Sequence, residues 1–193
     1  GNEIDGDMVE AVCAIDLKQR GLLAGDTAVS TVMANLGLTH ALRDAGISLI
    51  QTKVGDRYVL EAMREGGYVI GGEQSGHTIF LEHNSTGDGL VTALQFLAAC
   101  KRAGKSAGEA AKTMTRFPQT LINVRVKDKH AADGNQAIAD AVAAAEAALG
   151  EDGRVLLRPS GTEPVVRVMV EAMDEQAAEQ HAKAIAEVVE REI

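Results

Sequence analysis

The sequence predicts an α/β fold in two parts. A mixed-sheet α/β domain comes first, followed by a small α+β domain of order β-α-β-β-α, an antiparallel sheet with two helices on one face. Three observations lead there. Up to Phe117, short β-branched runs alternate with apolar-periodic stretches of about ten residues, the pattern of strands and helices laid in turn. After Phe117 and Pro118 the style changes: 121–127 (LINVRVK) alternates apolar and polar residues, as a strand with one wet side does. Beyond it, two alanine-rich stretches repeat an apolar stripe at helical spacing. The expected boundaries are 1–8 as the tail of a preceding domain, 9–117 as the α/β domain and 118–193 as the α+β domain.

Taken in order, helical spacing holds over 8–20 until Gly21 and Gly25 break it. Residues 28–33 are a β-branched run, read as a buried strand. A helix follows over 37–45, stopped by Gly46, and 47–52 is a second strand. Residues 56–65 read as a helix closed by Gly66 and Gly67. A third strand, 68–70, runs into Gly71 and Gly72. The stretch 88–103 is apolar on nearly every side and is expected to be buried, with a shorter helix, 106–115, behind it. In the second part, Ile122, Val124 and Val126 share one face of the alternating strand. The helix 137–149 carries its stripe on Ile138, Val142, Ala145 and Leu149, and the helix 175–191 on Ala178, Ala182, Ile185 and Val189. Strands at 154–157 and 165–171 lie between them.

Charge and composition exclude several function classes. The formal net charge is −9, with 28 Asp+Glu against 19 Lys+Arg, which argues against a nucleic-acid or anionic-membrane surface. With no Trp, two Tyr and three Phe, a base-stacking platform is not expected either. No apolar run reaches the ~20 residues of a membrane helix, and the polar, acidic stretch 1–7 is not expected to act as a signal peptide. Cys13 and Cys100 sit in apolar stretches and read as buried free thiols in a reducing, cytoplasmic setting. Asp5, Gly6 and Asp7 look like part of a metal loop but supply too few ligands for Mg²⁺, and the five histidines show no zinc spacing; no metal site is expected in this chain.

Two loops could carry chemistry. RPSGTEP, 158–164, joins two strands of the second part. An oxyanion needs donors from several directions: Arg158 offers a guanidinium fork, Ser160 and Thr162 offer hydroxyls, and Gly161 lets the backbone turn closely. Arg167, on the next strand, could add a second cation. The same residues also make an ordinary hairpin turn. GGEQSGH, 71–77, follows a strand. Glu73 and Ser75, two apart on an extended segment, would project to one side and suit neighbouring sugar hydroxyls. A glycine-rich connection meeting only water reads equally well. Lys53, Asp56 and Arg57 stand at a strand-to-helix junction, where α/β sheets commonly bind ligands, although Asp at a helix start is more often a cap.

In this order, GGEQSGH and RPSGTEP resemble the loops of the α-D-phosphohexomutase superfamily. The fuller run resembles its bacterial phosphoglucosamine mutase family: TVMANLGL at 31–38, TKVGDRYVL at 52–60, TGDGLVTALQ at 86–95, FPQTLINVRV at 117–126 and GRVLLRPSGTEPVVRVMVE at 153–171. The resemblance implies the third and fourth of four domains, a chain opening beyond a Mg²⁺ loop of the form DGDADR, and missing N-terminal domains that carry the phosphoserine. It implies an isomerase of amino-sugar metabolism and cell-wall precursor synthesis. That enzyme interconverts glucosamine 6-phosphate and glucosamine 1-phosphate through a phosphoserine and a 1,6-bisphosphate of glucose or glucosamine. By position, Glu73 and Ser75 would contact sugar hydroxyls, and Arg158, Ser160, Gly161 and Thr162 would grip the non-reacting phosphate. Lys53, Asp56, Arg57, His77 and Arg167 would lie near the cleft, and Gln74 would go with the glucosamine enzyme, where related enzymes carry Met. The expected partner is a small phosphosugar; a homo-oligomer is left open. Alone, the chain is expected to be inactive. The alternative from another class is a stand-alone module that binds phosphosugars without catalysis.

Overall fold

The computed structural model describes residues 3–193. The chain divides into two units at Arg116 and Phe117, each with its own core.

The first unit opens with α1 (Gly6–Gln19), whose start is fixed by the Asp5 carboxylate accepting the Met8 N–H at 3.0 Å. This helix begins inside the stretch 1–8 that the sequence reads as a tail; residues 1 and 2 lie outside the described residues. Next come β1 (Thr27–Thr31), α2 (Leu36–Asp44), β2 (Ser48–Thr52), α3 (Asp56–Gly66), β3 (Ile70–Gly72), β4 (Thr78–Phe80), α4 (Gly89–Ala103) and the short α5 (Ala107–Ala111). The sheet is mixed, in the order β2-β1-β3-β4, with β4 antiparallel and the other pairings parallel. Its first core packs α1, α2 and α4 together through Ala11, Leu17, Leu38, Leu42, Phe96 and Cys100. Arg102 ties α4 to α1 through a two-pronged pair with Asp16, both contacts at 2.7 Å. On the other side of the sheet, Val59 and Met63 of α3 pack against Val29 and Ile79.

Two expectations need correction. The helix α4 is not buried all round: Thr92, Phe96, Ala99 and Cys100 face the core, while Leu90, Leu94 and Leu97 are 72%, 59% and 56% exposed. Its apolar residues outnumber those that the α1 contact can cover. The third strand also starts later than 68–70, and a fourth strand, unread in the sequence, returns beside it.

The second unit runs β5 (Gln119–Arg125), α6 (Gln136–Leu149), β6 (Gly153–Pro159), β7 (Val165–Ala172) and α7 (Glu175–Glu192). This is the expected β-α-β-β-α order, with an antiparallel sheet β5-β7-β6. Val166, Val168 and Val170 point to one face of central β7 and share a core with Ile138 and Ala145 of α6 and Ala178, Ala182, Ile185 and Val189 of α7. Both helices therefore lie on one face. Arg167 alternates with those valines and points to the other.

Candidate functional site

In the first unit, β3 and β4 form a hairpin whose tip is residues 73–77. The Glu73 N–H donates to the His77 carbonyl at 3.0 Å and the Gly76 N–H to the Glu73 carbonyl at 2.9 Å. Residues 73–76 thus form a turn rather than the extended segment that a shared side for Glu73 and Ser75 requires. The Glu73 carboxylate reaches the strand-to-helix junction, accepting the Gly55 N–H at 3.1 Å. Ser75 is exposed.

The junction brings two further candidates to the tip. His77 Nε2 accepts the Gly87 N–H at 3.2 Å and lies 3.3 Å from Asp56 Oδ2. The first contact needs a lone pair on that nitrogen and the second a proton, so a single proton arrangement of the ring makes one of them and not both. Asp56 is the first residue of α3, and the cap position before it is Gly55, at φ 130°. Arg57 turns outward into a pair with Glu61 at 2.8 Å. Lys53 is exposed on the same connection.

The first turn of α1 holds the tip from below. The Gly6 N–H donates to the Gln74 carbonyl at 3.1 Å, and a Cβ at Gly6 would stand 2.2 Å from the Glu73 carbonyl oxygen. Asp7, fully buried, accepts the Asn35 N–H at 2.8 Å and the Gln74 side-chain amide at 3.3 Å. One turn on, Glu10 is also fully buried; burial, and then the nearby Asp7 charge, push its carboxyl well above the usual range. Ser30 Oγ lies 3.1 Å from Glu10 Oε2 and 3.0 Å from the Gly72 carbonyl. A protonated Glu10 can donate to Ser30, and Ser30 to Gly72, linking α1 to the strand that feeds the tip. None of Asp7, Glu10 or Ser30 is among the site residues that the sequence points to. An acid on the apolar stripe MVEAVCA is the available signal for Glu10.

In the second unit, β6 and β7 form a hairpin closed by the Ser160 N–H donating to the Val165 carbonyl at 2.9 Å. The ladder pairs Arg158 with Arg167, and Arg167 with Asn123 on β5, so all three share the face away from the helices. Burial, and then the Arg167 charge, lower the Arg158 pKa. Two guanidinium groups held opposite each other repel unless an anion joins them. Ser160 is buried; its Oγ accepts the Glu163 N–H at 3.3 Å and stands 3.4 Å from Arg167 Nη2. Gly161 and Thr162 are exposed. Gly161 does not take a positive φ, and a Cβ there would meet nothing within 4 Å. The protein's own packing therefore does not demand this glycine, contrary to the close-turn expectation, and the space above it is open. Glu163, largely exposed, lies 3.6 Å from Arg167 Nη2 and leaves Arg158 to itself.

A Mg²⁺ site does not fit these residues. Asp5 caps α1 and lies 3.6 Å from Arg116, Asp7 is engaged below the hairpin tip, and among the described residues no group of three or more His, Cys, Asp or Glu stands together to hold a metal ion.

The chain folds as a mixed α/β unit followed by a two-helix antiparallel unit, each with a polar hairpin tip, and its fold is like that of solved phosphohexomutases. The chain belongs to the phosphoglucomutase/phosphomannomutase family: the model of its alpha/beta/alpha domain III matches residues 5–117 and that of its C-terminal domain residues 121–188. Within it, the chain is 58% identical over 189 residues to the phosphoglucosamine mutase of Frankia alni, covering 98% of this chain and 42% of that protein. The chain therefore spans less than half the length of such relatives. Among solved structures, the fold resembles Aspergillus fumigatus N-acetylphosphoglucosamine mutase in complex with GlcNAc-6P and magnesium (TM-score 0.81, 21% identity, 96% of this chain and 47% of that one). It also resembles a serine-to-alanine variant of that enzyme in complex with glucose 1,6-bisphosphate (TM-score 0.78, 21% identity, 97% and 43%).

Proposed function

We propose that this chain is the substrate-holding part of a phosphosugar mutase, an isomerase that interconverts glucosamine 6-phosphate and glucosamine 1-phosphate. The observation that carries the reading is the paired Arg158 and Arg167 beside the open Ser160–Thr162 turn. Bringing two cations together on a sheet face costs stability, and a dianionic phosphate offsets that cost by bridging them. Ser160 and Thr162 add hydroxyls. A clamp on the phosphate that does not react supplies binding energy and orientation, while bond changes occur elsewhere on the sugar. In the first unit, Glu73, Ser75 and His77 present a carboxylate, a hydroxyl and an imidazole on one hairpin tip, donors and acceptors suited to sugar hydroxyls. Lys53 and Asp56 stand on the neighbouring junction.

The 1,6-bisphosphate, the phosphoserine and Mg²⁺ belong to the whole enzyme. The chain alone is predicted to give no mutase product, because it supplies no phosphoryl donor of its own. Calorimetric titration of the 193-residue chain with glucosamine 6-phosphate tests the clamp. Arg158→Ala is expected to weaken binding at least tenfold, about the loss of one charge-assisted hydrogen-bonded pair. Equal affinity of the two proteins would refute the clamp.

A further inference from the structure

Beyond β5 the chain turns, and Lys129 reaches back to the RPSGTEP hairpin. Its Nζ donates to the Ser160 carbonyl at 2.6 Å and lies 3.2 Å from the Gly161 carbonyl. Both acceptors belong to the loop read above as a phosphate clamp, but the lysine meets them from the carbonyl side. In a trans peptide the C=O and the following N–H point in opposite directions, and the structure contains no cis bonds among the described residues. Holding the carbonyls of Ser160 and Gly161 toward the ammonium therefore turns the N–H groups of Gly161 and Thr162 the other way.

Those two N–H groups donate to no protein acceptor among the described residues. The N–H on either side is taken: that of Ser160 by the Val165 carbonyl at 2.9 Å, that of Glu163 by Ser160 Oγ at 3.3 Å. Two successive free N–H groups on an exposed turn, next to a guanidinium pair, form the concave donor set that binds anions. We infer that Lys129 is a positioning residue for phosphate. It does not touch the anion; it fixes two peptide planes so that Gly161 and Thr162 donate to a phosphate oxygen. A lysine suits this task because its three N–H donors can serve two carbonyls from one atom. Its charge is spent on those carbonyls.

The inference rests on the clamp reading, and the test separates the two. Amide spectra of the full 193-residue chain are recorded with increasing inorganic phosphate, for the wild type and for Lys129→Met, Lys129→Arg and Arg158→Ala. In the wild type the Gly161 and Thr162 amide protons should move downfield on saturation. Lys129→Met keeps the aliphatic stem and removes the donors. It should weaken phosphate binding by about tenfold, the loss expected when two backbone donors are no longer aimed, and it should abolish both downfield shifts. Lys129→Arg, which keeps the donors, should restore the shifts and bring the affinity back to within about threefold. The rest of the spectrum reports whether each variant is folded. If Lys129→Met binds as the wild type does, or binds more weakly with both shifts intact, the lysine acts at most as a distant charge and the inference falls. If Arg158→Ala weakens binding while Lys129→Met binds as the wild type does, only the lysine's role is lost. If Arg158→Ala also binds as the wild type does, the clamp reading itself is overturned.

Discussion

Glu10 shows how much of this site lies beneath its visible loops. Its pKa is raised by burial and by Asp7, so the folded chain keeps a proton that the unfolded chain releases. The contribution of this group is therefore full below the unfolded pKa and is lost as pH rises from there through the folded value. Glu10→Gln, which cannot ionise, should lose less thermal stability than the wild type between about pH 5 and pH 8. Melting curves across that range check this; a steeper loss in the variant would contradict the buried-acid account. Cys13 is a second test. Burial, and then the Asp16 charge, push its thiol up to about 12, so it should resist iodoacetamide until the chain unfolds. The residues legible in the sequence are those whose chemistry is local. RPSGTEP and GGEQSGH stand out because prolines, glycines and polar side chains crowd within one turn. Asp7, Glu10 and Lys129 are not legible, since each acts on a partner that the fold alone brings near. The separation between Asp7 and Gln74, for instance, is 67 positions.

At the level of elements, periodicity serves where an element has one dry face and fails where apolar residues exceed the covered area. The stripe of α7 is readable at every position: Ala178, Ala182, Ile185 and Val189 are all buried. In α4 the pattern misleads, because its three leucines, Leu90, Leu94 and Leu97, all lie on the exposed side while Phe96 and Cys100 lie on the buried one. Leu94→Lys should accordingly change stability by no more than about 0.5 kcal/mol, as surface substitutions do. Phe96→Ala, on the opposite face, should cost about 3–5 kcal/mol. Urea unfolding of both variants measures the contrast, and equal costs would contradict the one-sided packing. The strand β4 escapes notice for a different reason. Three residues give almost no alternation to read, and its place comes from the hairpin register that pairs Gly72 with Thr78.

Across the whole molecule, the decisive feature is that hydrophobic residues sort into separate cores on either side of Arg116 and Phe117. Among the described residues, the members of the second unit's core all come from that unit. Residues 117–193 are therefore expected to fold when produced alone, with a dispersed amide spectrum and a phosphate response like that of the full chain. Collapsed resonances would show that the small core is insufficient. The change of style at Phe117 and Pro118 makes this division readable, because a buried α/β sheet and a half-wet antiparallel one impose different periods on their sequences. The acidic total, a net charge of −9, gives no hint of the cation pair on β6 and β7, since a mean charge is blind to which side chains a ladder sets opposite each other.

The missing side chain at position 6 has a wider reach than its size suggests. Helix and hairpin meet there backbone against backbone, so even a single methyl would have to lever the Glu73 peptide aside. The two segments are one mechanical part, and inheritance should treat them so: a change in the tip that alters which hydroxyls it meets has to be tolerated by the helix start, or be matched there.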